Sequence, residues 1–488
     1  MNNRRVLLKS YVWGHIVSNR LASLLNSIKG KFKELTLSGT SVQGENPAPD
    51  NPQEIKSAGR KSRNLFDITK YDKYDDTWTN TTYTTKKLKL KPNTTYTISC
   101  KRLVDKPKQY VFFNITEGIA TGRGIYIQIK PDLALNYFIS KGTFTTNDVG
   151  EITLSYYVDC PKEQYWFTEV IGDIQIEEGN KATSYEPYTD KYLIDVKVTG
   201  KNLLNLQKEP DVKGTYQGWK VGDGKKTIVL SIEDKGNNAD ITKCSIGVSG
   251  NGINPNDGLG WIVQDGTILR SEIKTTNPYV TIYPPNETAV QKFLDRFEIQ
   301  VEYGTTATPY EPYAEQSLQI ALNEPLRGVG EYKDMLTKDG VVRKIKQITV
   351  NEKSNLIFYT ESKNTLGYLV KVPDATQTNY TYSVISDRFV KTQYIDSNDT
   401  NGVVTLFAQQ IIFRVSKEIA NNIYTLKEWL VDNNITFNYV LESPITEPLP
   451  ESVQAQLSAL HSENGVTHVF VDSGEVEAGI SVTYKQKK

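Results

Sequence analysis

Trp78 stands in the run DDTWTNTTYT, where an extended chain puts Asp76, Asn80 and Thr82 on the same face. An indole in a row of carboxyl, amide and hydroxyl groups suits sugar recognition. The ring stacks on C–H surfaces while the polar neighbours bond the hydroxyls. Tryptophan is otherwise a mostly buried residue, so a wholly polar row around one is informative. The competing reading is packing under a loop or between modules. Asp76, Trp78, Asn80 and Thr82 are therefore the candidate carbohydrate-binding residues.

A second set of aromatic residues recurs. Residues 174–188 read IQIEEGNKATSYEPY and residues 299–313 read IQVEYGTTATPYEPY, ten of fifteen positions being identical at a constant offset of 125. Proline keeps Glu186 and Glu311 extended. Tyr185 and Tyr188, like Tyr310 and Tyr313, then project to similar sides of a polyproline-like segment. Such a pair stacks on a sugar or clamps the last strand of a module to its linker, and identical use at two exits suits the clamp. Upstream, Ile174 and Ile176 share one strand face, as do Ile299 and Val301, with Gln175, Glu177, Gln300 and Glu302 on the other. Gly179 and Gly304 then allow a turn.

Catalytic chemistry finds less support. The three histidines, His15, His461 and His468, lie in no G-x-S-x-G, H-E-x-x-H or Cys–His setting. Glycan hydrolysis needs two carboxyl groups roughly 5–10 Å apart. Glu177/Glu178 and Asp75/Asp76 are sequence neighbours that a strand would point to opposite faces. The expectation is a protein that is not an enzyme. Cys100, Cys160 and Cys244 show no pairing pattern, so neither a disulfide framework nor a metal site is predicted. Residues 396–402, DSNDTNG, resemble a calcium loop whose glycine is one place late for an EF-hand. A hairpin turn is the expected reading, a structural calcium ion the alternative, and no cofactor is predicted.

The whole chain must supply elements that hold these groups. At 488 residues it exceeds one core and suggests about three domains. Lys+Arg and Asp+Glu are equal at 57 each, which argues against nucleic acid as a partner. Runs such as TWTNTTYTT and TNYTYSVIS alternate in the manner of strands with one solvated face, so the chain is β-rich. No apolar run reaches the roughly 18 residues of a membrane span, and the basic start lacks the cleavage site of a secretory signal.

Val17, Leu21, Leu24 and Ile28 repeat at 4, 3 and 4, the seam of a short helix ended by Gly30. So short a helix needs a partner, on this chain, on sister copies or in a larger assembly. Residues 1–33 are thus an attachment helix. Residues 34–62, with Pro47, Pro49 and Pro52, are an extended, surface-hugging linker. Both IKSAGRKSRNLFD (55–67) and VKVTGKNLLN (196–205) run strand, glycine, basic residue, Asn-Leu. Head and tail bracket two tandem modules, 63–190 and 196–316, with a β-rich domain at 317–488. In that domain DGVVRKIKQITV reads as a strand pair and FNYVL (437–441) as a strand before Pro444. Thr425 and Glu428 read as a capping box, opening one short helix with Leu426, Trp429 and Leu430 on its apolar face. Trp219 and Trp261 read as core.

The head KNL, the stretch LKPNTTYTIS (90–99) and the doubled tail resemble tail and baseplate proteins of bacteriophages infecting Gram-positive bacteria. The lead-in LSGTSVQGENPAPDNPQEIKSAG and the later EPLRGVGEYKDML, YTLKEWLVDNNITFNYVLESP and VDSGEVEAGISVTY resemble the same family, over roughly residues 34–484. The second module has KKTIVLSI where the first has KPNTTY. The resemblance implies tandem jelly-roll β-sandwiches similar to carbohydrate-binding modules. It also implies location in the virion, at the tail, baseplate or an appendage, with other tail proteins as partners. A homo-oligomer, a trimer for choice, would adhere to host cell-wall glycans. The alternatives are an architectural protein whose modules are spacers, and a glycan-degrading tail enzyme.

Overall fold

The computed structural model describes residues 3–9, 32–67, 81–102, 111–120, 125–129, 139–159, 171–221, 227–236, 245–249, 253, 261–262, 266–270, 278–284, 287–377, 383–393, 395, 399–461 and 467–485. Strand dominates, at 51% against 8% helix, which bears out a mainly β chain. Two compact units emerge, Lys61–Tyr192 and the remainder.

The smaller unit holds the first module. Its strands are β1 (Thr81–Lys89), β2 (Thr95–Arg102), β3 (Val111–Glu117), β4 (Ile125–Ile129), β5 (Ile139–Thr145), β6 (Glu151–Asp159) and β7 (Ile171–Glu178). They form two antiparallel sheets, β1-β6-β3-β4 and β7-β2-β5. Alternate residues of both sheets meet in one core, among them Ile98, Phe113, Ile115, Ile152, Leu154, Ile174 and Ile176. This is a β-sandwich. Cys100 is buried in it, and burial pushes its thiol pKa up, so it serves as a small apolar residue.

The second module repeats that order. Its strands are β8 (Tyr216–Lys220), β9 (Ile228–Asp234), β10 (Ser245–Ser249), β11 (Trp261–Ile262), β12 (Gly266–Arg270), β13 (Tyr279–Tyr283) and β14 (Phe297–Tyr303). They pair as β8-β13-β10-β11 and β14-β9-β12, each label seven higher than in the first module. A three-residue strand, Asp211–Lys213, extends the first sheet beyond β8. Trp219 and Val221 are buried in the core, as their pattern predicts. Helix α1 (Glu287–Arg296) precedes β14 and seats Val290 and Phe293 on that core. The i, i+3, i+4 spacing of Val290, Phe293 and Leu294 is the signal for it.

The larger unit also contains a scaffold made of segments separated in sequence. A seven-stranded antiparallel sheet has the order Asn3–Lys9, Gly479–Lys485, Phe32–Ser38, Met335–Leu336, Gly340–Val350, Ile435–Pro448, Val384–Ser386. A three-stranded sheet places Tyr192–Thr199 between Glu315–Leu322 and His468–Asp472. Leu35, Leu37, Ile194, Val196, Ile320, Val469, Val471 and Ile480 share one core across these segments. A five-stranded sheet containing Thr365–Lys371 and Gln410–Ser416 carries a second core with helix α2 (Ile423–Asp432).

Several expectations change. The start of the 34–62 segment does not hug the surface: Phe32–Ser38 is an interior strand, with Leu35 and Leu37 buried, because it pairs with a strand more than four hundred residues away. Asn3–Lys9 is a strand on that sheet rather than part of a helix, and the seam residues Val17, Leu21, Leu24 and Ile28 lie outside the described residues. DGVVRKIKQITV is one strand, with Arg343 buried against Asp334. The strand at 435–448 runs through Pro444, where its register with Gly340–Val350 shifts. The box that opens α2 is Asn422 with Thr425: the Asn422 side chain accepts from Tyr424 N and Thr425 N, so Thr425 closes the box rather than opening it. A second helix of the C-terminal region, α3 (Glu451–Ala459), follows Pro450 and buries Leu457 in the scaffold core.

Candidate functional site

The repeated tails build the same polar network twice. In the first module the buried Asn64 donates Nδ2–H to the Ile174 carbonyl (2.8 Å), and its Oδ1 accepts from Phe66 N (2.9 Å) and Ile176 N (3.2 Å). In the second, Asn202 donates to the Ile299 carbonyl (3.2 Å) and accepts from Leu204 N and Val301 N (both 3.1 Å). An asparagine side chain offers both a carbonyl and an N–H₂, and each head uses both to stitch itself to the last strand.

Beyond the strand, Gly179 (φ 115°) and Gly304 (φ 144°) reverse the chain in a region that only glycine adopts freely. The returning segment covers Gln175 and Glu177, or Gln300 and Glu302, which are thereby buried. Gln175 Nε2 and Thr183 N both donate to Glu177 Oε1 at 2.8 Å, and Thr183 Oγ1 donates to Oε2 at 2.6 Å. The corresponding distances at Gln300, Thr308 and Glu302 are 2.9, 2.8 and 2.9 Å. The glutamine carbonyls accept from Glu186 N (2.8 Å) and Glu311 N (2.9 Å). Buried carboxyl groups with these partners hold the strap in one register. Gln, Glu, Gly and Thr are among the ten identities of the repeat, so the signal for these fasteners was present in the sequence.

The tyrosines stand at the rim of this network. Tyr185 is 43% exposed, whereas Tyr188, Tyr310 and Tyr313 are half-buried. Burial raises the pKa of Tyr185 and Tyr310, helped by Asp173 and Glu298, acids at equivalent positions. The Tyr313 hydroxyl donates to Glu315, and the Lys197 ammonium lies 5.7 Å from its ring centroid.

Of the candidate sugar-binding row, Asp76, Trp78 and Asn80 lie outside the described residues. Thr82 stands opposite Val158, in a row that continues to Val111 and Ile129. The larger sheet has two further complete register rows across its four strands. One is Tyr83, Tyr157, Phe112, Gln128; the other is Thr85, Ser155, Asn114, Tyr126. Aromatic, hydroxyl and amide residues thus alternate along these register rows, a composition suited to a flat polar ligand with apolar patches.

The second module has an outward face of related composition. Its rows are Lys213, Tyr216, Tyr283, Ser245 and Asp211, Gly218, Thr281, Gly247, Trp261. The register puts Trp261 across from Gly247, and the Trp261 side chain lies outside what is described. The Tyr216 and Tyr283 rings lie 5.0 Å apart. Tyr279 donates its hydroxyl to Asp211, and burial together with that carboxylate pushes its pKa well up. This face is covered: Tyr279, Thr281 and Tyr283 are 8%, 0% and 8% exposed. Ile253 fills the notch at Gly218, where an added Cβ would come within 2.7 Å of its Cγ1. Lys213 Nζ donates to the Ile253 carbonyl (3.2 Å).

Elsewhere, His461 is exposed and pairs with Gln316, while His468 is buried edge-on to Tyr303. The Asp399 carboxyl accepts from Asn364 N, Asn364 Nδ2 and Thr365 Oγ1, partners from a neighbouring turn. Among the described residues no helix is long and apolar enough to cross a membrane. No protein-family model matches the chain, and no curated protein matches it in sequence.

Proposed function

We propose that this is a structural protein of a bacteriophage tail or baseplate that displays two jelly-roll modules and adheres to host cell-surface glycans. The observation that supports the reading is the register of the first module's larger sheet. There Tyr83, Tyr157, Phe112 and Tyr126 stand in register with Gln128, Asn114, Ser155 and Thr85. Sugars are held by aromatic rings against C–H surfaces and by amides and hydroxyls at their edges. The resemblance of heads and tails to phage tail proteins supplies the setting, and many copies on one particle would compensate for weak single sites.

A second reading, spacer rather than binder, is favoured for the second module by one observation. Ile253 sits on the glycine notch, and Thr281 at its centre is fully buried. The two modules then divide the labour, the first binding and the second extending.

The test is binding of the full chain to host cell-wall polysaccharide. Tyr157→Ala is expected to weaken it by about 1–3 kcal/mol, by analogy with base stacking on aromatic rings, and Tyr283→Ala to leave it unchanged. A parent chain that binds no host glycan leaves only the spacer role. Release of sugar products from the polysaccharide would replace adhesion with catalysis.

A further inference from the structure

Each module leaves the scaffold and returns to it at a single hydrogen-bonded pair. Arg60 N donates to the Leu193 carbonyl (2.9 Å) and Leu193 N to that of Arg60 (2.7 Å), so all of 61–192 is strung between two residues that face each other in an antiparallel bridge. The rim is rigid. Arg60 Nε and Nη2 bind the Asp195 carboxylate at 2.8 and 2.6 Å, and Gly474 (φ 83°) packs against the Arg60 backbone. The second module leaves at Gly200, whose N–H donates to the carbonyl of Ala314 (3.2 Å). The flanking strands Tyr192–Thr199 and Glu315–Leu322 are hydrogen-bonded neighbours. Lys197 meets Glu315 at 2.7 Å and Asp195 meets Gln319 at 2.9 Å, the descending order of an antiparallel pair.

From this we infer that the scaffold holds two sockets, each at the position of a hairpin turn, and that the modules are cassettes set into them. A mutually hydrogen-bonded antiparallel pair is what a two-residue turn closes. Replacing such a turn by a folded insert of any length costs little loop entropy, provided the insert's ends emerge side by side. The heads and tails ensure that they do, because Asn64 and Asn202 bind the first residues of each module to its last strand. The buried core of the scaffold agrees for the first cassette: its members come from 35–58, 194–198, 318–341 and 449–482, and from the second cassette Tyr303 packs against it. The partner each socket accepts is therefore any sandwich with adjacent ends. For the first module, what the protein binds is then separable from how its scaffold folds. This inference stands whether or not the modules bind glycans.

Hydrogen exchange on the full chain and two variants tests it. In the first variant Asn-Gly replaces residues 61–192. Amide protection in 193–199, 315–322 and 468–472 is expected to stay within about twofold of the parent. In the second, Phe113→Asp unfolds the first module within the intact chain. Protection is expected to vanish in β2 and β7 and to persist in the three scaffold strands. A tenfold or greater loss in those strands on Phe113→Asp overturns the inference. That point variant decides the matter if the deletion variant does not fold.

Discussion

In the first module the sandwich is a compact unit by itself, Lys61–Tyr192, closed by β7 and its strap. In the second, the equivalent strand β14 ends in Tyr303, whose ring meets His468 edge-on at 5.4 Å. Tyr303 and Phe470 pack against the module's core and the scaffold's core alike. At the exit, Tyr313, Glu315 and Lys197 form a further joint. Strand order and fastening are the same in both, so neither decides autonomy. A few aromatic and ionic contacts beyond the fold do, by making one apolar cluster continuous with the next.

The largest expected effect separates the modules most sharply. Phe293→Ala in α1 removes a fully buried ring and should cost about 3–5 kcal/mol. Because Tyr303 couples that core to the scaffold, calorimetry should show the scaffold transition falling with it. Phe113→Ala should cost as much, yet lower only the transition of the first module. A scaffold transition that ignores Phe293→Ala would break the distinction.

Next in size come the two head asparagines. Both are buried, Asn64 making three side-chain bonds to backbone groups and Asn202 four, so Asn64→Ala and Asn202→Ala should each cost about 1–3 kcal/mol. Denaturant titration of both variants measures this. Losses that differ by more than about 1 kcal/mol would mean the two networks are alike in geometry but not in energy.

Acid should then sharpen the difference at the exits. Burial raises the Glu315 pKa, but hydrogen bonds from Lys197, Ser317 and Tyr313 outweigh it and hold the carboxyl below its ordinary 4.5. A depressed carboxyl contributes stability above its unfolded pKa and loses it as pH falls through the folded value. The transition containing the second module should therefore drop more steeply below pH 4.5 in the parent than in Glu315→Gln. Parallel acid profiles would remove Glu315 from the joint.

The smallest effect concerns the closing tyrosines. Tyr185 is exposed at the rim, and Tyr185→Ala should change stability by less than about 0.5 kcal/mol. Tyr313, bonded to Glu315 and beside Lys197, should cost about 1 kcal/mol when truncated. Thermal unfolding of the pair tests whether the tyrosines or the Gln–Glu–Thr network fasten the strap.

Much of this was legible from local pattern. The alternation of Ile174 with Ile176 and of Ile299 with Val301 predicted strands with one buried face, and both strands are there. Gly179 and Gly304 predicted the reversals, because a positive φ is a property of single residues. The doubled tail predicted two modules alike, and their sheets have the same order. The apolar face of α2 was visible in Leu426, Trp429 and Leu430. Pattern says less about partners. Gln175 and Glu177 look like a solvated face, yet the returning strap buries them, and nothing within the strand announces a cover that arrives eight residues later. The register rows depend on which strand lies beside which, so Tyr157 comes into register with Tyr83 and Phe112 only after β1, β6 and β3 pair.

The sequence by itself therefore determined the β character, the two modules, their turns and their identical ends, all consequences of spacing within a few residues. Only the tertiary structure decided that the stretches before, between and after the modules are strands of one scaffold. Leu35, Ile194, Ile320 and Val469 meet in one core although no local period links them. Each of those strands is too short to bury its apolar face alone. The partner that covers it is fixed by long-range pairing, which a sequence records only as alternation with no address.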